Sequence, residues 1–410
     1  SASSVISYEI GKGHENNTPM SEEEKERLVN LLLSPNDDKW SVLSSNLDPS
    51  NIIPVILAMR VYGKAGYVLG PLFISHVTKI LPSFVAAHEY YSNIQISTNE
   101  QAILIRRVKT SITSAIESFS RKLTLYPSNI VEFVISQCLQ IASNFSNSPK
   151  ETRDPAILHL FGLLCEKHGQ ILLPNMNMLF SLLFMPTVNI IANNEQLQSS
   201  FQSNGNFDAF DEDVINMHRS ALLSFIDGAV KGCISFIALF NEASLNSFVS
   251  TILYLTSFLT KQEICSKSIK ILSNFIESIR INASPEFISS FTANYGIKLV
   301  VDYFRIVTDP CYNFAFNEIC SLFLQLLNLP MIKMNIQALV STLQQNLFPQ
   351  LNEEVLLQFV TSLVHSIEEK LIFRQYMRDF LINIKKVRRN DVNFMKDELE
   401  LENNQLRLDL

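Results

Sequence analysis

The chain has 410 residues, of which 47% are hydrophobic and 18% are charged, and its net charge is −7. This composition excludes a disordered chain, and the acidic balance argues against a nucleic-acid groove while weakly favouring basic partners. With only 11 glycines, the chain has few of the turn residues that a large sheet protein needs, so we predict helix packed on helix. Six widely spaced cysteines are typical of buried apolar residues in a reducing compartment.

The start of the chain predicts a helix soon after a short leading segment. SASSVISYEIGKG shows no basic region followed by an apolar core, so we expect no signal peptide, and the missing initial Met suggests a fragment of a longer protein. Ser21 and Glu24 have the spacing of a capping box and predict a helix start. A break is expected at Pro35-Asn36-Asp37-Asp38, and Asp48-Pro49-Ser50 predicts the next start.

Further helix starts recur along the chain, with apolar residues at three- and four-residue spacing between them. They are predicted at Thr98-Asn99-Glu100, Pro127-Ser128-Asn129, Pro149-Lys150-Glu151, Ser284-Pro285-Glu286, Asp309-Pro310 and Asn352-Glu353-Glu354. Pairs of helices therefore repeat at roughly 40 to 50 residues, the period of HEAT-type repeats. We predict an all-α fold, an α-solenoid of helical hairpins over residues 1–389, followed by an acidic helix or tail over residues 390–410.

Two stretches interrupt the regular pattern. Gln170–Asn194 carries no charge and is long enough to span a bilayer. Because prolines and asparagines interrupt it and no positive-inside flank frames it, we favour a buried helix and predict no membrane segment. Gln196–Asp213 is polar, with one glycine, and is predicted to be a loop.

Motifs for catalysis or metal binding are weak. Gly11-Lys12-Gly13-His14 lacks the spacing of a phosphate-binding loop, and His88-Glu89 lacks the second histidine of a zinc-protease helix. Cys165 and His168 lie one helical turn apart, but no second pair of suitable spacing follows. We therefore predict no enzyme activity, no metal and no cofactor.

Two basic clusters and an acidic tail are the candidate interaction residues. Lys385-Lys386-Val387-Arg388-Arg389 could be a localisation or phosphate-binding cluster, or cations that favour a helix C-terminus. Arg106-Arg107-Val108-Lys109 is expected to open a helix, where cations are unfavourable, so a partner contact and a solvated face remain equally open. The acidic tail could lie across a basic ridge.

The C-terminal letters resemble the exportin-1 family of nuclear export receptors. That family ends in F-P-x-L, then L-F-V-x-x-L, then F-x-x-x-x-R-D-F-L-x-x-I-K. Here the corresponding residues are Phe348, Pro349 and Leu351; then Gln358, Phe359, Val360 and Leu363; then Phe373, Arg378, Asp379, Phe380, Leu381, Ile384 and Lys385. Upstream, ISYEIGKG, PNDDKWSVLSSNL and RRVKTSITSAIESFSRK are similar to family segments in the same order. The chain departs freely elsewhere, as at Thr110 and Ser111, so it would be a divergent member.

The resemblance implies the C-terminal part of a receptor built as a ring of HEAT repeats. Such a receptor binds Ran-GTP and leucine-rich export-signal cargo, contacts nucleoporins, and shuttles between nucleus and cytoplasm without binding nucleic acid or membrane. It further implies contacts with Ran or the tail by Arg106, Arg107 and Lys109, and an orienting role in the last helix for Arg378, Asp379 and Lys385. The regulatory acidic tail would comprise Asp397, Glu398, Glu400 and Glu402.

Periodicity alone leaves a different class of protein open. A HEAT array without a transport role could serve as a scaffold or regulatory subunit for protein assembly. The RDFLINIKK block beginning at Arg378 favours the receptor over the scaffold.

Overall fold

The computed structural model describes residues 21–192, 209–237 and 240–385. Within these ranges the regular elements are all helical, which confirms the predicted fold class. The chain divides into two compact units, Ser1–Ile237 (unit 1) and Ala238–Leu410 (unit 2), where one array over residues 1–389 was predicted. The predicted boundary at residue 389 lies outside the described residues.

Unit 1 consists of helices joined by short connections. They are α1 (Glu22–Ser45), α2 (Ile52–Leu69), α3 (Ile74–Ser92), α4 (Asn99–Ser120), α5 (Ser128–Asn147), α6 (Ala156–Leu172), α7 (Met176–Leu179), α8 (Ala209–Gly232) and α9 (Ile234–Ile237). A π-helical turn, Phe180–Phe184, follows α7, and the chain stays helical to residue 192.

Side-chain caps account for several helix starts in unit 1. The Ser21 hydroxyl accepts a hydrogen bond from the Glu24 backbone N–H at 3.3 Å, and the Ser21 N–H donates to the Glu24 carboxylate at 2.9 Å. The predicted capping box is therefore confirmed. Thr98 likewise caps α4, as predicted. The predicted start near Pro149 forms only a 3-10 turn, because α6 begins later, at Ala156.

The predicted break at Pro35 is wrong, because α1 continues through this residue. An interior proline costs a helix about 3 kcal/mol, since it removes a backbone donor. Tertiary contacts offset that cost. The buried indole of Trp40 donates to the Ser83 hydroxyl on α3 at 2.7 Å, and the Tyr62 hydroxyl on α2 donates to Asp37 at 2.6 Å. Contacts to two neighbouring helices thus hold α1 in one piece.

The helices of unit 1 lie in two layers. α2, α4, α6 and α8 pack side by side in chain order in one layer, while α3, α5 and the turn Phe180–Phe184 form the other. Each long helix thus touches the next helix but one, as in stacked HEAT-type hairpins. The apolar stripe of α4 shows the sequence origin of this packing: its buried apolar residues include Ile105, Val108, Ile112, Ile116 and Phe119.

Backbone meets backbone where α6 packs against α8. Glycines line both helices at this contact. A Cβ atom added at Gly228 would collide with the Gly162 carbonyl oxygen, and one added at Gly232 would collide with the Cys165 carbonyl oxygen. Only a residue without a side chain fits at these positions, so the glycines determine how closely the two helices approach.

Unit 2 is also helical, and most of its helices are shorter than the long helices of unit 1. Its helices are α10 (Glu242–Thr256), α11 (Gln262–Asn282), α12 (Pro285–Phe291), α13 (Ile297–Thr308), α14 (Phe316–Leu327), α15 (Pro330–Met334), α16 (Ile336–Asn346), α17 (Glu353–His365) and α18 (Lys370–Lys385). α11, α14 and α18 pack in one row, and α13 packs against α14 and α16. The predicted starts at Ser284 and Asn352 are confirmed, because each side chain caps its helix.

An aromatic cluster anchors the last helix of unit 2. Phe304 on α13 lies 4.5 Å from Phe323, and its ring also contacts Phe348, Phe359 and Phe380. Phe359 and Phe380 stack face to face. Three of these residues, Phe348, Phe359 and Phe380, belong to the C-terminal motif that carries the family resemblance. The motif therefore specifies how α17 and α18 pack.

Two helical stretches, Pro49–Ser92 and Ala156–Ala192, are long and apolar enough to cross a membrane by length and composition alone. Core helices of large α-helical proteins meet the same criterion. The second stretch includes most of the apolar segment for which a buried helix was predicted. It is helical, with one face buried and the other partly exposed at Met178 and Met185. The loop predicted over Gln196–Asp213 is wrong for its last five residues, because α8 begins at Ala209, and the rest of the predicted loop lies outside the described residues.

Candidate functional site

The basic cluster Arg106-Arg107-Val108-Lys109 lies in the middle of α4, which begins at Asn99. The cluster was expected to open a helix, where cations are unfavourable, and this was the reason for expecting a partner. That reason is wrong, because the cluster lies away from the helix start. Arg106 is half-buried and donates to the Glu151 carbonyl oxygen at 3.0 Å. Arg107 is exposed. The two arginines thus remain at the surface, with Arg107 the more accessible.

Lys109 lies in the interior of unit 1. Its side chain is fully buried, and the ammonium donates to the Ser148 hydroxyl at 2.8 Å. Burial lowers the pKa of Lys109 to about 8, although the nearby Asp154 carboxylate opposes the shift. Since the ammonium reaches no surface, the predicted contact with a partner is wrong for this residue.

Asp154 faces Lys109 at the start of α6 and is also fully buried. Its Oδ1 accepts hydrogen bonds from the Thr110 hydroxyl at 2.8 Å and from the Ala156 backbone N–H at 2.9 Å. Burial raises the pKa of this carboxyl group, and these hydrogen bonds and Lys109 oppose the rise. The two buried charges therefore interact electrostatically between α4 and the start of α6, while each is held by its own hydrogen bonds.

Arg153 holds the same connection between α5 and α6. Its Nε and one terminal nitrogen donate to the carbonyl oxygens of Ser148 and Ser146, each at 3.1 Å. The guanidinium also lies 5.8 Å from the centre of the Phe145 ring. Lys109 on α4 also donates to Ser148. Two cations, Lys109 and Arg153, therefore stabilise the connection between α5 and α6.

Two histidines border this polar cluster. Burial lowers the pKa of His218 on α8 to about 4, with a further contribution from the cations of Arg106 and Arg153. Burial and the Lys109 ammonium lower the pKa of His88 on α3 well below its usual value. Both imidazoles are therefore neutral near pH 7. In the described ranges, no three His, Cys, Asp or Glu side chains are grouped so that they could hold a metal ion.

The predicted residues of the last helix fall in different environments. Arg378 is buried, and its guanidinium lies 5.3 Å from the centre of the Phe316 ring on α14. Asp379 is exposed on α18. The side chain of Lys385 lies outside the described residues, as do the tail residues Asp397, Glu398, Glu400 and Glu402. Of this set, Arg378 has a contact that could orient α18.

An apolar surface that the sequence analysis did not identify lies along α1 and α2. Val42, Ile53, Leu57 and Val61 are 45% to 65% exposed. The four-residue spacing of the three on α2 places them in one stripe. Val42, Leu57 and Val61, with their neighbours, line a groove of about 680 Å³ between the two helices. An apolar surface of this kind in a helical array is suited to contact with another helix.

Sequence reasoning missed Asp154 because its partner Thr110 lies on α4, 44 residues earlier in the chain. No local spacing announces such a cluster. A signal did exist for the α6–α8 contact. Gly228 and Gly232 form a G-x-x-x-G pattern, which is typical of helices that approach closely.

The two-layer stacks of helical hairpins define an α-solenoid protein whose surfaces are the faces of its helices. The family described as CRM1 C terminal matches residues 74–389, and the chain belongs to this family, the C-terminal part of exportin-1. It is 20% identical to Protein EXPORTIN 1B of Arabidopsis thaliana over 404 residues and 20% identical to Protein EXPORTIN 1A over 405 residues. Each alignment covers 89% of this chain and 36% of the relative, so the chain spans about a third of their length.

Proposed function

We propose that this chain is the C-terminal region of a nuclear export receptor. The receptor would bind Ran-GTP and leucine-rich export-signal cargo cooperatively, contact nucleoporins, and shuttle between nucleus and cytoplasm. The observation that carries the proposal is the family match over residues 74–389. The paired-helix architecture supports it, because an array in which each repeat contacts only its neighbours provides long surfaces for protein partners.

The proposed role is binding rather than catalysis. Lys109 and Asp154, whose pKa values are shifted by burial, lie fully inside unit 1 and tie α4 to the start of α6. Their use is therefore structural. The exposed Arg107, supported by Arg106, is the proposed contact with Ran or with the acidic tail, since a surface cation at the edge of an acidic protein attracts carboxylates.

The tail and the last helix form the regulatory part of the proposal. Asp397, Glu398, Glu400 and Glu402 would make reversible charge contacts, and a tail that docks and releases can shift a receptor between two states. Arg378, fixed over Phe316, would set the direction in which the chain leaves α18.

The test uses the complete receptor and a fluorescent leucine-rich peptide, with binding read as fluorescence anisotropy. Ran loaded with GTP is added in one series, Ran loaded with GDP in the second, and no Ran in the third. We expect tight peptide binding only with Ran-GTP. A peptide with its leucines replaced by alanine serves as the control. Equal binding in all three series, or none with a well-folded receptor, would contradict the proposal and favour the scaffold.

A further inference from the structure

The thiols of Cys165 and Cys233 meet where the backbones of α6 and α8 touch. The Cys165 carbonyl oxygen lies against Gly232, the residue before Cys233, so close that a Cβ atom at Gly232 would collide with it. The Cys233 thiol also points back to α6, because it donates to the Gly169 carbonyl oxygen at 3.6 Å. Both cysteines are buried and neither is in a disulfide.

Contact between the two thiols makes them chemically unequal. Their mutual hydrogen bond raises the pKa of Cys165 well above its usual value, with burial adding to the effect. The same hydrogen bond lowers the pKa of Cys233. The thiolate is the reactive form of cysteine, so Cys233 is the better nucleophile of the pair. The Cys165 sulfur has a third sulfur nearby, Met176 Sδ at 3.8 Å.

We propose that Cys165 and Cys233 form an oxidative modification site at which hydrogen peroxide produces a disulfide between α6 and α8. Disulfides need Cα atoms about 4.4–6.8 Å apart, and most helix pairs keep their backbones too far apart for this. The glycine contact removes that obstacle here, since it brings the two backbones together beside the thiols.

The reaction balances in two steps. The Cys233 thiolate attacks one peroxide oxygen, the O–O bond breaks, and hydroxide leaves and takes up a proton, which produces a sulfenic acid and water. The Cys165 sulfur then attacks the Cys233 sulfur, the S–O bond breaks, and the Cys165 proton leaves with the hydroxyl group as a second water. The two thiols lose two electrons, which reduce the peroxide to water.

Cys233 lies at a break in helical structure that could admit a small oxidant. α8 ends at Gly232 and α9 begins at Ile234, so this cysteine lies between two helices and not inside one. Local opening at a helix end costs less than opening a helix interior. The disulfide would fasten two neighbouring helices of one layer and restrict changes of curvature at this point of unit 1.

The test exposes the full chain to hydrogen peroxide, blocks remaining thiols in denaturant, and analyses the protein by non-reducing peptide mass spectrometry. Six thiols are free before treatment, and we expect the loss of two, with one linked peptide that joins Cys165 to Cys233. Cys138→Ser, at a buried cysteine of α5, should still form the link. Cys165→Ser should abolish it and leave Cys233 as a sulfenic acid that dimedone traps.

A second measurement separates the proposal from a failure to fold. Reduced wild type and Cys165→Ser should have the same helical circular dichroism, and peroxide should raise the unfolding midpoint of the wild type but not that of Cys165→Ser. The absence of the linked peptide with six thiols retained, or a link between other cysteines, would overturn the proposal. So would loss of thiol without the Cys165–Cys233 link in a wild-type chain that remains folded.

Discussion

The buried ammonium of Lys109 lowers the stability of the fold through desolvation and also restricts how α4 packs. Desolvation disfavours its charge, while Asp154 and the Ser148 hydroxyl partly compensate. Burial shifts the pKa of Asp154 in the opposite direction, upward, because it disfavours the charged carboxylate. Two buried charges that attract each other contribute little net stability, but removing either one leaves the other desolvated without that attraction. Their attraction therefore favours one arrangement of α4 and the start of α6.

The pKa of Lys109 leads to a pH dependence of stability. Its folded value of about 8 lies below the ordinary value of 10.5, so the folded state binds fewer protons between these two pH values. Stability should therefore rise with pH across this window, by about 3 kcal/mol in total. Urea unfolding of unit 1, followed by fluorescence of the single tryptophan, Trp40, at about pH 7.5 to 10.5, measures the rise.

The double variant Lys109→Met/Asp154→Asn is the comparison for this measurement. It removes both charges and keeps an oxygen at residue 154 for the Thr110 and Ala156 hydrogen bonds. Its stability should change much less over the same pH range. Equal slopes for the wild type and the double variant would show that Lys109 is not the titrating group.

Arg378 and Asp379 are adjacent on α18 but differ in burial, which makes them a matched pair. Arg378→Ala removes the guanidinium from the Phe316 ring and leaves space in the interior, so we expect a loss of about 2 kcal/mol. Asp379→Asn changes an exposed side chain and should stay within about 0.5 kcal/mol of the wild type. Urea unfolding followed by circular dichroism measures both; similar losses would contradict the orienting role of Arg378.

At the scale of elements, the glycines of α6 and α8 have the largest effect on packing. The hydrophobic pattern of each helix predicts that it has a buried face, but not how close its neighbour comes. Here the distance is set by four positions at which a side chain would meet backbone: Gly162, Gly169, Gly228 and Gly232. Backbone cannot move aside as a flexible side chain can, so these helices have little freedom to adjust.

Gly228→Ala tests this packing. The new methyl group would collide with the Gly162 carbonyl oxygen, so the helices must separate, at a cost of about 3 kcal/mol. Gly63→Ala on α2 is the matched control. Its Cβ would lie 3.1 Å from Ala115 Cα, and the improved helix propensity, about 1 kcal/mol, offsets the tighter contact. Equal loss of stability in the two variants would mean that the α6–α8 contact does not limit the packing.

For the whole molecule, the charge of Arg107 provides a test of partner binding. Arg107→Glu in the complete receptor should weaken Ran-GTP binding about 3–10-fold at low salt, because an exposed cation becomes an anion. The effect should shrink as salt rises from about 0.05 M to 0.5 M. Lys64→Glu, an exposed charge reversal on α2, is the control. Unchanged binding of the Arg107 variant at low salt would remove Arg107 from the proposed contact.

The residues that carry the family resemblance serve the fold of unit 2. Phe348, Phe359 and Phe380 meet in one aromatic cluster with Phe304. In this chain, three of the residues that carry the resemblance are therefore part of the core of unit 2. A receptor's partners depend on exposed side chains, and those are less constrained by the fold. The packing of these residues therefore says little about which exposed side chains contact a partner.

The sequence by itself determined the helical class, the family and many helix starts. These features depend on local chemistry: apolar residues at helical spacing, caps such as Ser21 and Thr98, and the letters of the last repeat. The continuation of α1 through Pro35 could not be read locally, because contacts with α2 and α3 hold it.

Only the tertiary structure decided which polar residues lie inside. It buried Lys109 opposite Asp154 and left Arg107 exposed, although Arg107 and Lys109 are separated by one residue. It also brought Cys165 to Cys233 across a contact made of glycine backbone. The reason is physical: local pattern specifies the face that a helix buries, whereas the partner of each buried group depends on which helix, distant in sequence, packs against that face.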